Sequence, residues 1–137
     1  MTSTMRAQRF YADTKKVVVE DVPIPEPGPG EVLVKVAYCG ICHSDLSLIN
    51  GTFPSQLPVV TQGHETSGTI AKLGPGVTGW AEGDRVAVEP IYRCGHCGPC
   101  AAGNYNVCAQ IGFHGLMSDG GMAEYTVVPV DMLHRLP

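Results

Sequence analysis

The densest group of reactive side chains in this sequence is a run of four cysteines. The run has the spacing Cys-x2-Cys-x2-Cys-x7-Cys and consists of Cys94, Cys97, Cys100 and Cys108. Gaps of two residues let neighbouring thiolates converge on one ion, and the intervening glycines let the backbone curl tightly around it. Four thiolates complete the tetrahedral shell of zinc and leave no open position. The pattern therefore predicts a structural zinc lobe at residues 90–112.

Other uses of these cysteines remain open at this point. A four-iron cluster also uses Cys-x2-Cys-x2-Cys, but its fourth ligand usually comes after three residues and precedes a proline. Here the gap is seven residues, and Ala109 follows. Cys97-Gly-Pro-Cys100 has the spacing of a thioredoxin-type redox pair, although the flanking strand and helix pattern is missing. Disulfides and inert thiols are further alternatives, and we expect His96 to be a solvated loop residue.

A second candidate metal site combines Cys42 with His64. Cys42 directly precedes a predicted short helix, where free backbone N–H groups favour a thiolate. His64 stands about twenty residues further on, and two donors at strand ends could meet at one ion. From the residues alone, packing of a buried cysteine and histidine is the simpler interpretation. We assign Cys39, His114 and His134 to packing or surface positions.

Short strands and frequent turns must position these residues. The 17 glycines and 11 prolines separate short segments rich in Val, Ile, Leu and Tyr, which favours strands. The predicted strands are residues 5–10, 17–21, 31–39, 65–73, 84–89 and 122–128. One short helix is predicted from Ser44 to Asn50, ended by Gly51. This pattern is typical of a mainly β, antiparallel barrel or sandwich, and it contains no Gly-rich phosphate loop between a strand and a long helix.

Composition limits the possible partners. The net charge of −4 gives no reason to expect nucleic acid or an anionic membrane. Hydrophobic residues make up 44% of the chain, yet no run approaches the roughly 18 apolar residues of a membrane span. The first residues lack the apolar core of a signal peptide. Six cysteines without such a signal should stay reduced, so we expect one cytoplasmic domain over residues 1–137.

Several segments together resemble the zinc-containing medium-chain alcohol and polyol dehydrogenase family, nearest its butanediol and sorbitol dehydrogenase branch. They are residues 40–45, 63–77, 83–86 and 120–125 with the four-cysteine run, all in the family's order. The resemblance extends from Met5 to Pro137. It implies a GroES-like antiparallel β-barrel with one or two short helices. It also implies an oxidoreductase that uses zinc with NAD or NADP and acts on a small alcohol or ketone.

The resemblance also implies roles at the second metal site. Cys42 and His64 correspond to ligands of a catalytic zinc, and Glu65 corresponds to an acidic neighbour that can approach the metal. Asp45 corresponds to a carboxylate that hydrogen-bonds the ligand imidazole. Ser44 corresponds to the hydroxyl that takes the proton of the substrate alcohol.

Around this site, the resemblance is less complete. His43 occupies the place of a basic residue that contacts the cofactor pyrophosphate. Many members carry a histidine five residues after the ligand cysteine to pass the proton on, whereas this sequence has Ser47, which we expect to be an exposed helix position. Met122 corresponds to a substrate-pocket position, with a core methionine as the alternative. Phe53 and Leu57 are candidate walls of an apolar pocket.

Two parts of such an enzyme are expected beyond these residues: a nicotinamide-binding Rossmann domain and a third protein ligand of the catalytic zinc. A Cys42 thiolate and a neutral His64 would leave Zn²⁺ with a net positive charge, so we expect any metal held there to recruit Glu65 as third ligand and water as fourth. The alternative is an empty catalytic site beside a filled structural one, because four thiolates bind more tightly than two donors. The isolated chain is then expected to be inactive, and the full-length enzyme to be a homo-oligomer. The alternative is a stand-alone zinc-binding β-barrel module with a structural or interaction role.

Overall fold

The computed structural model describes residues 3–137, and within them ten strands form the framework. The long strands are rich in Val, Ile and Thr, whose branched side chains suit a pleated sheet. The strands are β1 (Thr4–Tyr11), β2 (Lys16–Pro23), β3 (Glu31–Gly40), β4 (Val59–Val60), β5 (Glu65–Leu73), β6 (Arg85–Val88), β7 (Ile91–Tyr92), β8 (Gly112–Phe113), β9 (Tyr125–Pro129) and β10 (Leu133–Arg135). The helices are α1 (His43–Ile49) and α2 (Gly98–Ala101), with 3-10 turns at Tyr105–Val107 and Val130–Met132.

All sheet pairings among these strands are antiparallel. A three-stranded sheet has the order β2-β1-β4, a five-stranded sheet has the order β10-β6-β5-β3-β9, and β7 pairs with β8. The predicted mainly β, antiparallel fold class is therefore confirmed. Over the described residues the five-stranded sheet is open, because its edge strands β10 and β9 are not paired with each other.

The larger hydrophobic core lies on one face of the five-stranded sheet. Its buried members are Val32, Val34, Ile70, Val86, Val88, Val128, Met132 and Leu133. In β5, buried and more exposed residues alternate along the strand, which is the pattern of a sheet with one buried face. A smaller cluster of Phe10, Leu48 and Val60 packs α1 against the three-stranded sheet. Leu48 is thus the apolar anchor of the helix that carries several predicted site residues.

The six strands predicted from the sequence are all present, and the predicted helix at residues 44–50 is observed at His43–Ile49. The sequence interpretation missed β4, β7, β8, β10 and α2, which are two to four residues long. Such short elements have too few residues to show a period of 2 or 3.6. No helix between residues 3 and 137 has both the length and the apolar character needed to cross a membrane.

Gly63 connects β4 to β5 and fixes the direction of the chain just before His64. Its φ is +105°, a conformation that side chains with a Cβ rarely adopt. A Cβ at this position would lie 2.6 Å from the Cys39 Sγ and 2.8 Å from the backbone nitrogen of Met122. The second contact involves backbone, which cannot move without disturbing the neighbouring segment. Glycine is therefore required here for both conformation and space.

We predict that Gly63→Ala lowers the free energy of unfolding by more than about 3 kcal/mol, because strain and overpacking add. Gly76→Ala is the matched control. Its φ is +75°, but nothing lies within 4 Å of the added Cβ, so it should cost only about 1–2 kcal/mol. Denaturant unfolding of both variants measures the difference. Equal losses in the two variants would show that close packing at Gly63 is unimportant.

Candidate metal centres

The four cysteine side chains of residues 94–108 converge on one point. The Sγ atoms of Cys94 and Cys100 are 3.9 Å apart, those of Cys97 and Cys108 are 3.9 Å apart, and those of Cys94 and Cys108 are 3.6 Å apart. Sulfur atoms at the corners of a tetrahedron around zinc lie about 3.8 Å apart when each Zn–S bond is about 2.3 Å. A disulfide would require about 2.05 Å. The spacing fits one shared tetrahedral ion, and all four cysteines are free.

Local backbone structure holds these sulfurs in place. Cys97 caps the start of α2, which carries Cys100, and Cys108 ends the 3-10 turn that follows. The N–H groups of His96 and Cys97 donate to the Cys94 Sγ at 3.5 and 3.3 Å. The Cys108 Sγ accepts from the N–H groups of Cys94 and Gln110, each at 3.3 Å. N–H donation stabilises a thiolate, so the loop is arranged for charged sulfur.

The surroundings of these thiols shift their pKa values in opposite directions. N–H donation, first from Ala109 and then from Cys100, lowers the pKa of Cys97 to about 6. N–H donation from Cys94 likewise lowers the pKa of Cys108. Loss of solvation raises the pKa of Cys100 to about 12. Crowded thiols cannot all ionise without a cation among them, so four thiolates at neutral pH require a metal ion.

The four-cysteine lobe is attached to the rest of the domain at its base. Strands β7 and β8 pair there, with Ile91 opposite Phe113. The Arg93 guanidinium stacks over the Tyr105 ring at 3.8 Å and lies 3.4 Å from the Asp131 carboxylate. These contacts place the lobe beside the end of β6 and the turn before β10.

The second site forms where β3 ends and β5 begins. Gly40 at the end of β3 pairs with Glu65 at the start of β5. Cys42 follows this pair and His64 precedes it, so antiparallel pairing brings the two donors together. One ligand atom each from Cys42, His64 and Glu65 lies within 4.8 Å of the other two. The structure thus groups three donors that the sequence places in two separate segments.

The absence of a side chain at Gly40 makes room for the third donor. A Cβ built on Gly40 would lie 2.2 Å from the Glu65 Oε2. The carboxylate therefore lies directly over the glycine backbone, on the same side as Cys42 and His64. Glu65 itself is exposed. A flexible carboxylate held only by the shape of its surroundings can move toward or away from an ion.

Asp45 and Ser44 both face the His64 ring. Asp45 is buried, and its Oδ2 accepts the Cys42 N–H at 3.0 Å. Its Oδ1 lies 3.7 Å from His64 Nδ1, and both atoms are buried without a hydrogen-bond partner. A small approach would pair them, which would fix the imidazole tautomer and leave Nε2 free for an ion. Ser44 Oγ is 3.2 Å from that Nε2.

Ser47 is not the exposed helix residue that we predicted. Its side chain is buried, and its Oγ lies 3.4 Å from the Nδ1 of His43, which is itself exposed at the start of α1. The expectation was wrong because α1 packs through Leu48 against Phe10 and Val60, which turns the face bearing Ser47 inward. Periodicity over seven residues does not define that face.

A cavity of about 560 Å³ opens beside Ser44 and His64. Phe53 lines it, as predicted, whereas Leu57 packs instead into the cluster around Phe10. Met122 is not among the lining residues and lies against Gly63. The remaining walls are Leu48, Pro54, Gln56, Pro90, Ile91, Phe113, Leu116 and Met117. Sequence reasoning missed Phe113 and its neighbours because no local pattern shows that the base of the four-cysteine lobe folds over Ser44.

The other histidines and Cys39 lie in packed or surface positions, as the sequence predicts. His114 is fully buried between the Tyr92 hydroxyl at 3.0 Å and the Thr126 hydroxyl at 3.1 Å. Burial lowers the pKa of His114 to about 4, so its ring is neutral at pH 7. His134 is exposed and pairs with Glu89, and His96 is exposed. Burial raises the pKa of the Cys39 thiol.

Comparison with known proteins places this geometry in a family. Residues 28–137 match the alcohol dehydrogenase GroES-like domain. The chain is 43% identical over 125 residues to a sorbitol dehydrogenase of Halalkalibacterium halodurans, covering 90% of the chain and 36% of that protein.

Two solved structures are also similar. One is a short chain alcohol dehydrogenase from Escherichia coli complexed with NADH, with a TM-score of 0.91 and 38% identity over 98% of this chain and 39% of that one. The other is a cobalt- and zinc-bound thermostable alcohol dehydrogenase from Pyrobaculum aerophilum, with a TM-score of 0.91 and 34% identity over 97% of this chain and 41% of that one. The chain therefore spans about two fifths of the length of these relatives. Its sequence, fold and grouped donors agree with one assignment: the chain belongs to the alcohol dehydrogenase GroES-like domain family.

Proposed function

We propose that residues 1–137 form the zinc-binding catalytic domain of an enzyme that interconverts a small secondary alcohol or diol with its ketone or aldehyde, using NAD or NADP. The observation that carries this proposal is the group of Cys42, His64 and Glu65 beside the cavity that Ser44 lines. The sorbitol dehydrogenase and alcohol dehydrogenase relatives support it. The nicotinamide-binding domain lies outside these residues in this proposal, and the isolated chain is inactive.

The four-cysteine site holds a structural zinc. Four thiolates fill the coordination shell, so no position remains for a substrate. The lobe contributes little to the two hydrophobic clusters, and among its cysteines only Cys108 is buried. The metal therefore supplies much of the free energy that orders this segment.

The site at Cys42, His64 and Glu65 holds a catalytic zinc. One thiolate and one carboxylate balance the charge of Zn²⁺, and His64 contributes a neutral nitrogen. Whether the third protein ligand is Glu65 or the ligand expected beyond these residues, one position stays open, and the neighbouring cavity gives a substrate access to it. This donor set fits a catalytic site, whereas the closed four-cysteine set fits a structural one.

The residues around this site have separate tasks. When bound, zinc lowers the pKa of an alcohol and polarises a carbonyl, and a nicotinamide accepts or returns the hydride. Ser44 would relay the alcohol proton: its Oγ, which lies 3.2 Å from His64 Nε2 and therefore next to the metal position, would accept that proton and release its own hydroxyl proton to water. Asp45 orients the His64 ring through Nδ1. We assign contact with the cofactor pyrophosphate to His43, which is exposed at the start of α1.

The cavity indicates the class of substrate. Its walls are formed mainly by apolar and aromatic side chains, including Leu48, Phe53, Phe113 and Leu116. Among the described residues that line it there is no Lys, Arg, Asp or Glu. Such a pocket favours an uncharged molecule with its hydroxyl or carbonyl directed to the metal end. Because the cysteines form no disulfide, we place the whole enzyme in the cytoplasm. The net charge of −4 supports no nucleic acid or membrane partner. A homo-oligomer is expected from the family resemblance alone.

In the enzyme that carries this domain with a nicotinamide-binding domain, Ser44→Ala should lower kcat for alcohol oxidation about 100-fold, since the proton loses its first acceptor. Zinc content should not change. Ser3→Ala is the matched control, because Ser3 is exposed and belongs neither to the cavity lining nor to the donor group. Steady-state kinetics on secondary alcohols and diols, with metal analysis, provide the test. Unchanged kcat in Ser44→Ala would remove Ser44 from the mechanism, and no turnover of any alcohol by the unmodified enzyme would contradict the proposed function.

Gly40→Ala should weaken metal binding at the Cys42 site about tenfold, because the new methyl group displaces the Glu65 carboxylate. Glu65→Gln should have a similar effect. Gly98→Ala is the control, since it adds a methyl group with nothing within 4 Å. The measurement is a Co²⁺ titration followed by visible absorption, with the four-cysteine site first filled with zinc. Wild-type affinity in both Gly40→Ala and Glu65→Gln would exclude Glu65 as a ligand.

A further inference from the structure

Two glutamines, Gln8 and Gln62, join the segments that carry the proposed catalytic metal ligands. We propose that this amide pair is a positioning device: it fixes α1, which follows Cys42, relative to the strand connection that carries His64. The inference rests on the proposed catalytic metal site and adds two residues to the machinery that shapes it.

The contacts form a continuous chain from β1 to α1. The Gln8 Nε2 donates to the Gln62 Oε1 at 2.7 Å, and the Gln62 backbone N–H donates to the Gln8 Oε1 at 2.9 Å. The Gln62 Nε2 then donates to the Asp45 carbonyl oxygen at 2.9 Å. Gln62 is only 1% exposed, and this last bond is buried. Water therefore cannot easily replace it.

The orientation of both amides is set by backbone partners. A backbone N–H can only donate, so the Gln8 atom that meets the Gln62 N–H must be oxygen. A backbone carbonyl can only accept, so the Gln62 atom that meets Asp45 must be nitrogen. The remaining bond then runs from the Gln8 nitrogen to the Gln62 oxygen. Reversing either amide would place like groups against each other, which makes the arrangement unique.

The position of the pair explains what it controls. Gln62 lies two residues before His64, and the residue it holds, Asp45, lies three residues after Cys42. The Asp45 side chain accepts the Cys42 N–H and faces His64 Nδ1. The hydrogen bond from Gln62 to the Asp45 carbonyl oxygen therefore joins the segment that carries His64 to helix α1. Helix α1 is also held by the apolar contact of Leu48 with Phe10 and Val60, which is non-directional and allows sliding.

A role in stability alone would not require two hydrogen-bonded amide side chains at these positions. Burying an amide is costly unless every bond is made, and an apolar pair of similar volume would fill the same space. Directional bonds define a position more sharply than apolar contact does. The Asp45–His64 separation of 3.7 Å is just beyond hydrogen-bond range, so a small displacement of α1 decides whether that bond forms.

The test is a Co²⁺ titration of protein whose four-cysteine site is filled with zinc, read by visible absorption. We expect Gln62→Leu to weaken Co²⁺ binding at the Cys42 site about tenfold and to reduce the intensity of its tetrahedral spectrum. Gln8→Leu keeps the bond from Gln62 to Asp45 but removes the two bonds that hold the Gln62 amide, so it should cause a smaller loss of Co²⁺ affinity. This second variant also serves if Gln62→Leu does not fold.

Thr61→Val is the matched control for stability. Thr61 is also buried, adjoins Gln62, and its hydroxyl accepts a bond from Arg9 rather than from α1. It should lower the melting temperature without changing Co²⁺ affinity. Wild-type affinity and spectrum in Gln62→Leu, or an equal loss in Thr61→Val, would overturn the positioning role while the metal site stands. If the unmodified protein gives no thiolate-to-cobalt absorption band at all, the proposed metal site and the positioning role both fail.

Discussion

The antiparallel pairing of β3 with β5 determines where the reactive side chains lie. Its last pair joins Gly40 to Glu65, and the chain leaves this pair toward Cys42 on one side and toward His64 on the other. Two register shifts interrupt the pairing, between Leu33 and Val34 and between Val36 and Tyr38. Such irregularities bend a strand and redirect its end. A slip of one residue would move Glu65 to the other face and separate the donors.

The two metal sites differ in how much of their geometry the protein supplies. In the four-cysteine lobe, turns and N–H donors bring the sulfurs to 3.6–3.9 Å, and the ion completes the structure. At the Cys42 site, strand pairing, helix packing and buried hydrogen bonds bring the donor atoms together. In the proposed assignment, the four-cysteine lobe needs its metal ion to fold, whereas the fold itself shapes the Cys42 site. This contrast is what a structural and a catalytic ion require.

Much of this was predictable from sequence, because the informative patterns are local. The spacing from Cys94 to Cys108 indicates a four-sulfur site by itself, and the six predicted strands follow from their branched residues. The pairing of Cys42 with His64 required the family resemblance, since the residues alone favour ordinary packing. Ser47 and Leu57 were misplaced because seven helical residues and a short apolar loop do not show which side faces the core. The Gln8–Gln62 bridge and the pocket wall at Phe113 depend on contacts between segments distant in sequence, for which a single sequence gives no signal.

Zinc content of the purified protein and of its Cys42→Ser variant tests the central claim most directly. The account predicts about two zinc ions per chain in the unmodified protein and about one in Cys42→Ser, because the four-thiolate site is independent of Cys42. Thiol titration alongside should show Cys42 protected. One zinc ion per chain with a freely reactive Cys42 thiol would contradict the second metal site. Iron, or no metal at all, would contradict the whole account.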